Sequence, residues 1–253
     1  MAHTVTTVGS EQPTQDGEPT PSAFGTTRYW DERYMRDKEP FDWYARYDAL
    51  EGLIEAQAAG KDVEVLHLGC GTSRLGEALC GAGYKYVMNI DISRACVIAQ
   101  LERYASGPHR NNKFMHGNAC ALEFPDESFD LVIAKATLDV IRCGKGAEGN
   151  VHAVCREVSR VLRPGGRFMC LEFSHVANPI LAELYDRFSF NILPLLGRVV
   201  ANDEEAYRYL VESIRRFPSQ EELSARMTAV GLEQVSCRNL SRGIAAIHLG
   251  WRI

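Results

Sequence analysis

Apolar residues fall into short runs along the chain, and these runs alternate with stretches of helical spacing. Val63 to Leu68, Tyr86 to Ile90, Lys113 to His116, Phe129 to Ala134 and Arg167 to Phe173 read as strands, several apolar enough for burial on both faces. Between them, Ser73 to Ala82, a segment capped by Ser93 and running to Tyr104, and Gly149 to Leu162 read as helices. The last is closed by Arg163-Pro164-Gly165-Gly166. This alternation predicts right-handed crossovers and a parallel sheet covered on both faces. After helical material between 178 and 230, Gly231 leads into two strands, 233–239 and 243–251. Their link, Leu240-Ser241-Arg242, fits only an antiparallel hairpin. The expected fold is therefore α/β and Rossmann-like, a mostly parallel seven-stranded sheet ending in an antiparallel hairpin.

The front of the chain breaks this pattern. Its first 23 residues lack Lys and Arg and place Pro13, Pro19 and Pro21 among small polar residues, which predicts a disordered tail. Neither the apolar core of a secretory signal nor the arginines of a mitochondrial presequence are seen there, which points to the cytoplasm. Residues 24–253 are expected to form one domain, with a helical lid insert at about 178–215. A net charge of −5 argues against nucleic acid as a partner. No apolar run is long enough to span a membrane, which leaves peripheral contact as the expected limit. The eight cysteines include no C-x-x-C pair, so no metal is expected and the thiols read as small core hydrophobes.

The chemistry concentrates at the strand ends. In open α/β sheets ligands bind outside the carboxyl ends of the strands, and Gly69-Cys70-Gly71-Thr72-Ser73 follows the first strand directly. Asp91 closes the second strand, where a carboxylate can accept hydrogen bonds from both ribose hydroxyls. Together they predict an adenosine-bearing ligand. A dinucleotide would ask for G-x-G-x-x-G, but the third position is Arg74. S-adenosylmethionine has no phosphate and needs no third glycine. Ile92 beside Asp91, Asn118 and Ala119 after the third strand, and Lys135 at the end of the fourth complete the expected cofactor set. Asn118 is expected to meet the adenine amino group.

Two families are recognisable in these residues. From Tyr29 to about Phe168 the chain resembles the eukaryotic methyltransferase-like family that methylates lysines of a translation elongation factor. The matching pieces are Tyr29-Trp30-Asp31-Glu32-Arg33-Tyr34, Phe41-Asp42-Trp43-Tyr44, Leu66 to Ser73, Asn89 to Ser93 and Thr137-Leu138-Asp139. That family usually has Asp/Glu-Lys-Gly-Thr-Leu-Asp where this chain has Ala134-Lys135-Ala136-Thr137-Leu138-Asp139. From Arg160 onward the chain resembles the ubiquinone/menaquinone C-methyltransferase family, most closely through Arg160 to Ser174 and Tyr207 to Arg215. An Arg-Asn pair implicated in that family's chemistry is replaced by Asp139-Val140. Both resemblances imply the class I methyltransferase fold with S-adenosylmethionine as methyl donor and S-adenosylhomocysteine as product.

The two families imply different acceptors. The C-terminal likeness implies a quinol-like or other lipophilic small molecule, and with it a mitochondrial location. The front half implies a protein lysine. A catalytically silent module that keeps the fold as a partner surface is the third reading. Asp139 and His175 are the candidate bases, while Trp30, Tyr34, Tyr207 and Tyr209 are the candidate substrate contacts.

Overall fold

The computed structural model describes residues 23–106, 111–144, 146–174 and 217–253. The expected lid insert, the first 22 residues, His175, Tyr207 and Tyr209 lie outside these described residues.

Seven strands form one sheet: β1 (Glu64–Leu68), β2 (Tyr86–Asp91), β3 (Asn112–His116), β4 (Phe129–Lys135), β5 (Leu162–Phe173), β6 (Glu233–Leu240) and β7 (Ala245–Trp251). Their order is β3-β2-β1-β4-β5-β7-β6. Strands β1 to β5 pair in parallel, and β7 runs antiparallel to both β5 and β6. The predicted architecture is therefore present. Strand order reverses between β1 and β4, so the crevice beyond their carboxyl ends is the natural ligand position.

Side-chain alternation assigns the two faces. Leu66, Leu68, Val132, Ala134, Phe168 and Cys170 point into one core layer, while Val65, Leu131, Ile133, Met169 and Leu171 point into the other. Helix α6 (Ala147–Val161) covers the first face with Val151, Val154, Cys155, Val158 and Val161, a single stripe at helical spacing. Helix α7 (Gln220–Ala229) joins it, started by a reciprocal capping box between Ser219 and Glu222. On the other face, α2 (Tyr47–Gln57) buries Leu50 and Ile54, and α3 (Leu75–Gly81) buries Leu75 and Leu79. Helix α4 (Arg94–Arg103) follows β2, capped by Ser93 as expected.

Several boundaries differ from the sequence reading by a residue or two, and two of the differences have a clear local cause. Strand β5 begins at Leu162 rather than Arg167: Leu162 pairs with Phe129 and Arg167 with Leu131, so Arg163–Gly166 bulge from a continuous strand instead of ending the helix. Helix α3 starts at Leu75 rather than Ser73, because the Ser73 hydroxyl accepts the Leu75 N–H and belongs to the preceding turn.

In front of the sheet lies α1 (Thr27–Arg36), capped by the Thr26 hydroxyl. Asp31 fixes it against α4, accepting from the Ser93 hydroxyl at 2.6 Å and from the Ala95 N–H at 3.2 Å. Trp30 is buried, and its indole N–H donates to the Phe24 carbonyl at 2.7 Å.

Candidate functional site

A cavity of about 290 Å³ opens at the carboxyl ends of β1, β2 and β4. Helix α1 and the strap 37–43 wall it on one side, and a short helix α5 (Leu138–Arg142) contributes Val140 and Ile141 on another. Gly69, Cys70, Gly71, Ser73, Asp91, Ile92, Asn118, Ala119, Lys135, Trp30 and Tyr34 all face it. The glycine loop and the strand ends thus meet in one crevice.

The loop after β1 is held from several directions. Gly69 and Gly71 have φ of +58° and +49°, in the left-handed region. A Cβ on Gly69 would sit 2.5 Å from the Thr137 side chain, and one on Gly71 would sit 2.8 Å from the Tyr34 hydroxyl oxygen. The close approach that demands glycine is thus to neighbouring side chains. Buried Gln100 donates to the Gly71 carbonyl at 2.7 Å, and the Thr137 hydroxyl donates to the Leu68 carbonyl at 2.9 Å.

Asp91 stands at the centre. One carboxylate oxygen accepts the Gly71 N–H at 2.8 Å and the other accepts the Ser93 N–H at 2.9 Å. Burial pushes its pKa up, and the two N–H groups oppose this. Each oxygen keeps a lone pair for a further donor. Asn118 accepts the Cys120 N–H on its side-chain Oδ1 at 2.9 Å, which leaves one acceptor site on that oxygen for an incoming amino group.

A second carboxylate, missed in the sequence reading, controls the outer side. Asp42 Oδ1 receives Lys135 Nζ at 3.0 Å and the Ser73 hydroxyl, while Oδ2 receives the Arg74 N–H at 3.4 Å. Lys135 also donates to the Trp43 carbonyl at 3.1 Å. Burial drives the Lys135 pKa down in spite of Asp42. Burial opposes ionisation of Asp42 as well, but Lys135 and the hydrogen bonds hold it below its ordinary value. The pair pins the strap to the glycine loop. It also places a negative charge at the start of α3, the position that receives the pyrophosphate in a dinucleotide site. Arg74, at the third motif position, turns aside to Glu77 at 2.7 Å.

Behind the cavity wall lies a buried acid pair. Glu172 Oε1 accepts the N–H groups of Thr137 and Leu138, each at 2.9 Å, and burial with nearby Asp139 pushes its pKa well up. Tyr44 reaches the other oxygen at 3.4 Å. Asp139 is itself buried, with Oδ1 accepting the Val140 N–H at 2.8 Å, and the cavity on this side is faced by Thr137, Val140 and Ile141. Asp42 and Glu172 both sit in segments that carried the resemblances, which was the available signal.

The chain matches the ubiE/COQ5 methyltransferase family over residues 46–252. It is 49% identical over 138 residues to a mitochondrial 2-methoxy-6-polyprenyl-1,4-benzoquinol methylase of Gallus gallus, covering 54% of this chain and 42% of that protein. It is 42% identical over 165 residues to the ubiquinone/menaquinone biosynthesis C-methyltransferase UbiE of Paracoccus denitrificans, covering 64% and 63% respectively. The matched segments therefore span roughly two-fifths to just under two-thirds of these relatives' lengths. Among solved structures, a SAM-dependent methyltransferase of Methanosarcina mazei aligns with TM-score 0.55 at 21% identity, over 84% of this chain and 99% of that one. The [4+2]-cyclase SpnF aligns with TM-score 0.58 at 18% identity, over 84% of each, so fold alone does not fix the reaction. With a family match that spans the whole sheet, this chain is a member of the ubiE/COQ5 family of S-adenosylmethionine-dependent methyltransferases.

Proposed function

We propose that the chain transfers a methyl group from S-adenosylmethionine to a ring carbon of a quinol-like, lipophilic small molecule. The observation that carries the donor is Asp91 beside the glycine loop with Asp42 at the start of α3. The first carboxylate offers ribose acceptors, and the second occupies the Arg74 N–H at the start of α3 that a diphosphate would need. The acceptor class rests on the family match and its quinone-methylating relatives.

When bound, the donor supplies an already activated methyl carbon. The chain's work is then alignment and exclusion of water. Asp91 holds the sugar, the Asp42–Lys135 pair closes the strap over the loop, and Glu172 fixes the β4–α5 turn. In this reading Asp139 and Glu172 are positioning residues behind the wall. His175 remains a proposed base, and Tyr207 and Tyr209 remain proposed contacts of the acceptor. A mitochondrial setting would follow the Gallus gallus relative. No described helix is long and apolar enough to cross a membrane.

One observation favours a protein lysine instead. The family match begins at residue 46, yet Trp30, Tyr34 and Trp43 wall the cavity from the segment before it. Incubation of the protein and methyl-labelled donor with cell extract, followed by solvent partition, separates the two. Label in the organic phase supports the quinol acceptor, and label confined to precipitated protein overturns it.

A further inference from the structure

Cys70, in the loop after β1, Asp91, at the end of β2, and Cys96, in the first turn of α4, converge although Cys70 lies 21 positions before Asp91. Their ligand atoms all lie within 4.8 Å of one another, and all three side chains are buried. The two thiols hydrogen-bond each other. Each residue is also held through its backbone or side chain. The Cys70 N–H donates to the Ile90 carbonyl at 2.9 Å, and the Cys96 N–H donates to the Ser93 hydroxyl at 3.2 Å. Asp91 is gripped by Gly71 and Ser93. The donor set is thus assembled before any ligand arrives.

We infer that Cys70, Asp91 and Cys96 form a binding site for a thiophilic divalent cation such as Zn²⁺ or Cd²⁺, and that its occupancy excludes the adenosyl ligand. Two sulfurs and one carboxylate oxygen are a donor set for soft, tetrahedral d¹⁰ ions rather than for Mg²⁺ or Ca²⁺. Two thiolates on one tetrahedral Zn²⁺ stand about 3.8 Å apart at ordinary Zn–S lengths, so the cluster needs only a small contraction. Binding forms two metal–sulfur bonds and one metal–oxygen bond, and the two thiol protons pass to solvent. Cys70 and Asp91 face the cavity, which gives the cation a route in and leaves its fourth position open to water there. Cys96 does not face the cavity and completes the site from behind. An Asp91 that ligates a cation through one oxygen has lost one of the two lone pairs that the ribose hydroxyls would use. The exclusion rests on the adenosyl reading proposed above, whereas the cation site does not.

The test is a Cd²⁺ titration of the purified full chain, followed by its ultraviolet thiolate-to-metal band, with and without saturating S-adenosylhomocysteine. One Cd²⁺ per chain is expected. Cys237→Ser, which removes an exposed thiol, should keep the band, and Cys96→Ser should lose it. S-adenosylhomocysteine should weaken Cd²⁺ by at least ~10-fold, and Cd²⁺ should weaken the nucleoside equally, since linkage is reciprocal. X-ray absorption of the zinc-loaded wild type should show two sulfur ligands, a readout that needs no folded variant. A band that survives Cys96→Ser, a zinc shell without two sulfurs, or indifference of cation to nucleoside overturns the proposal. Calorimetry of S-adenosylhomocysteine on the metal-free chain tests the adenosyl reading separately.

Discussion

Lys135 and Asp42 meet at 3.0 Å inside the wall of the cavity, with only 3% and 10% of their side chains exposed. They are 93 positions apart in the chain, and their contact joins the segment in front of the fold to the carboxyl end of β4. Nothing in the sheet itself requires it. Its effect is to hold the strap against the loop that carries the glycines.

Removing one member of this pair leaves a buried charge alone, which costs roughly 3 kcal/mol or more in comparable cases. Asp42→Asn is therefore expected to lower stability by about that amount in urea denaturation, and to weaken S-adenosylhomocysteine binding by about 10-fold as the strap loosens. The double variant Asp42→Asn/Lys135→Met should be more stable than Asp42→Asn alone. Loss of less than about 0.5 kcal/mol in the single variant would place the pair among surface contacts of no consequence.

Ala136 has a φ of +56°, a left-handed conformation in the turn after β4. An L-residue with a Cβ is strained there by about 1–2 kcal/mol. The lysine-methylating family whose motif this segment resembles usually carries glycine at this position, in keeping with the left-handed geometry. Ala136→Gly should relieve the strain, offset in part by glycine's larger freedom in the unfolded chain, for a net gain of about 0 to 1 kcal/mol. A shift of the denaturation midpoint to lower urea would refute this.

His67 lies buried in β1, with Nδ1 facing the Asn89 side-chain oxygen at 3.1 Å. Burial, aided by Lys135, pushes its pKa down to about 4. Above about pH 6.5 the ring is neutral in folded and unfolded chains alike. Between about 6.5 and 4 the unfolded chain takes up a proton that the folded chain refuses, so stability falls as pH falls and levels off below. The whole effect is at most roughly 3 kcal/mol. His67→Gln should flatten the loss of melting temperature across this window, and an unchanged slope would remove His67 as its source.

How far the sequence leads depends on how local each signal is. Strands β1 and β2 are apolar runs whose ends carry glycine or aspartate, so their identity and Asp91 can be read directly. The hairpin is legible because its link leaves one geometry. Contacts between distant segments are not written in any window. Asp42 reaches Lys135, and Cys70 reaches Cys96, only once the crossovers are built. Asp139 shows the same limit in direction rather than distance. The turn at Ala136 is visible as a strand end, but its left-handed backbone is not, nor is the direction of the next helix, in which Val140 faces the cavity while Asp139 lies near Glu172.

The central claim is that Asp91 receives the ribose of a ligand without phosphates. Calorimetry on the wild type and on Asp91→Ala, with S-adenosylhomocysteine and with NAD, tests it directly. The account predicts that the wild type binds S-adenosylhomocysteine and not NAD, and that Asp91→Ala weakens it by roughly 10- to 100-fold, the worth of hydrogen bonds to a charged acceptor. Binding of NAD by the wild type, or undiminished S-adenosylhomocysteine affinity in Asp91→Ala, would contradict it.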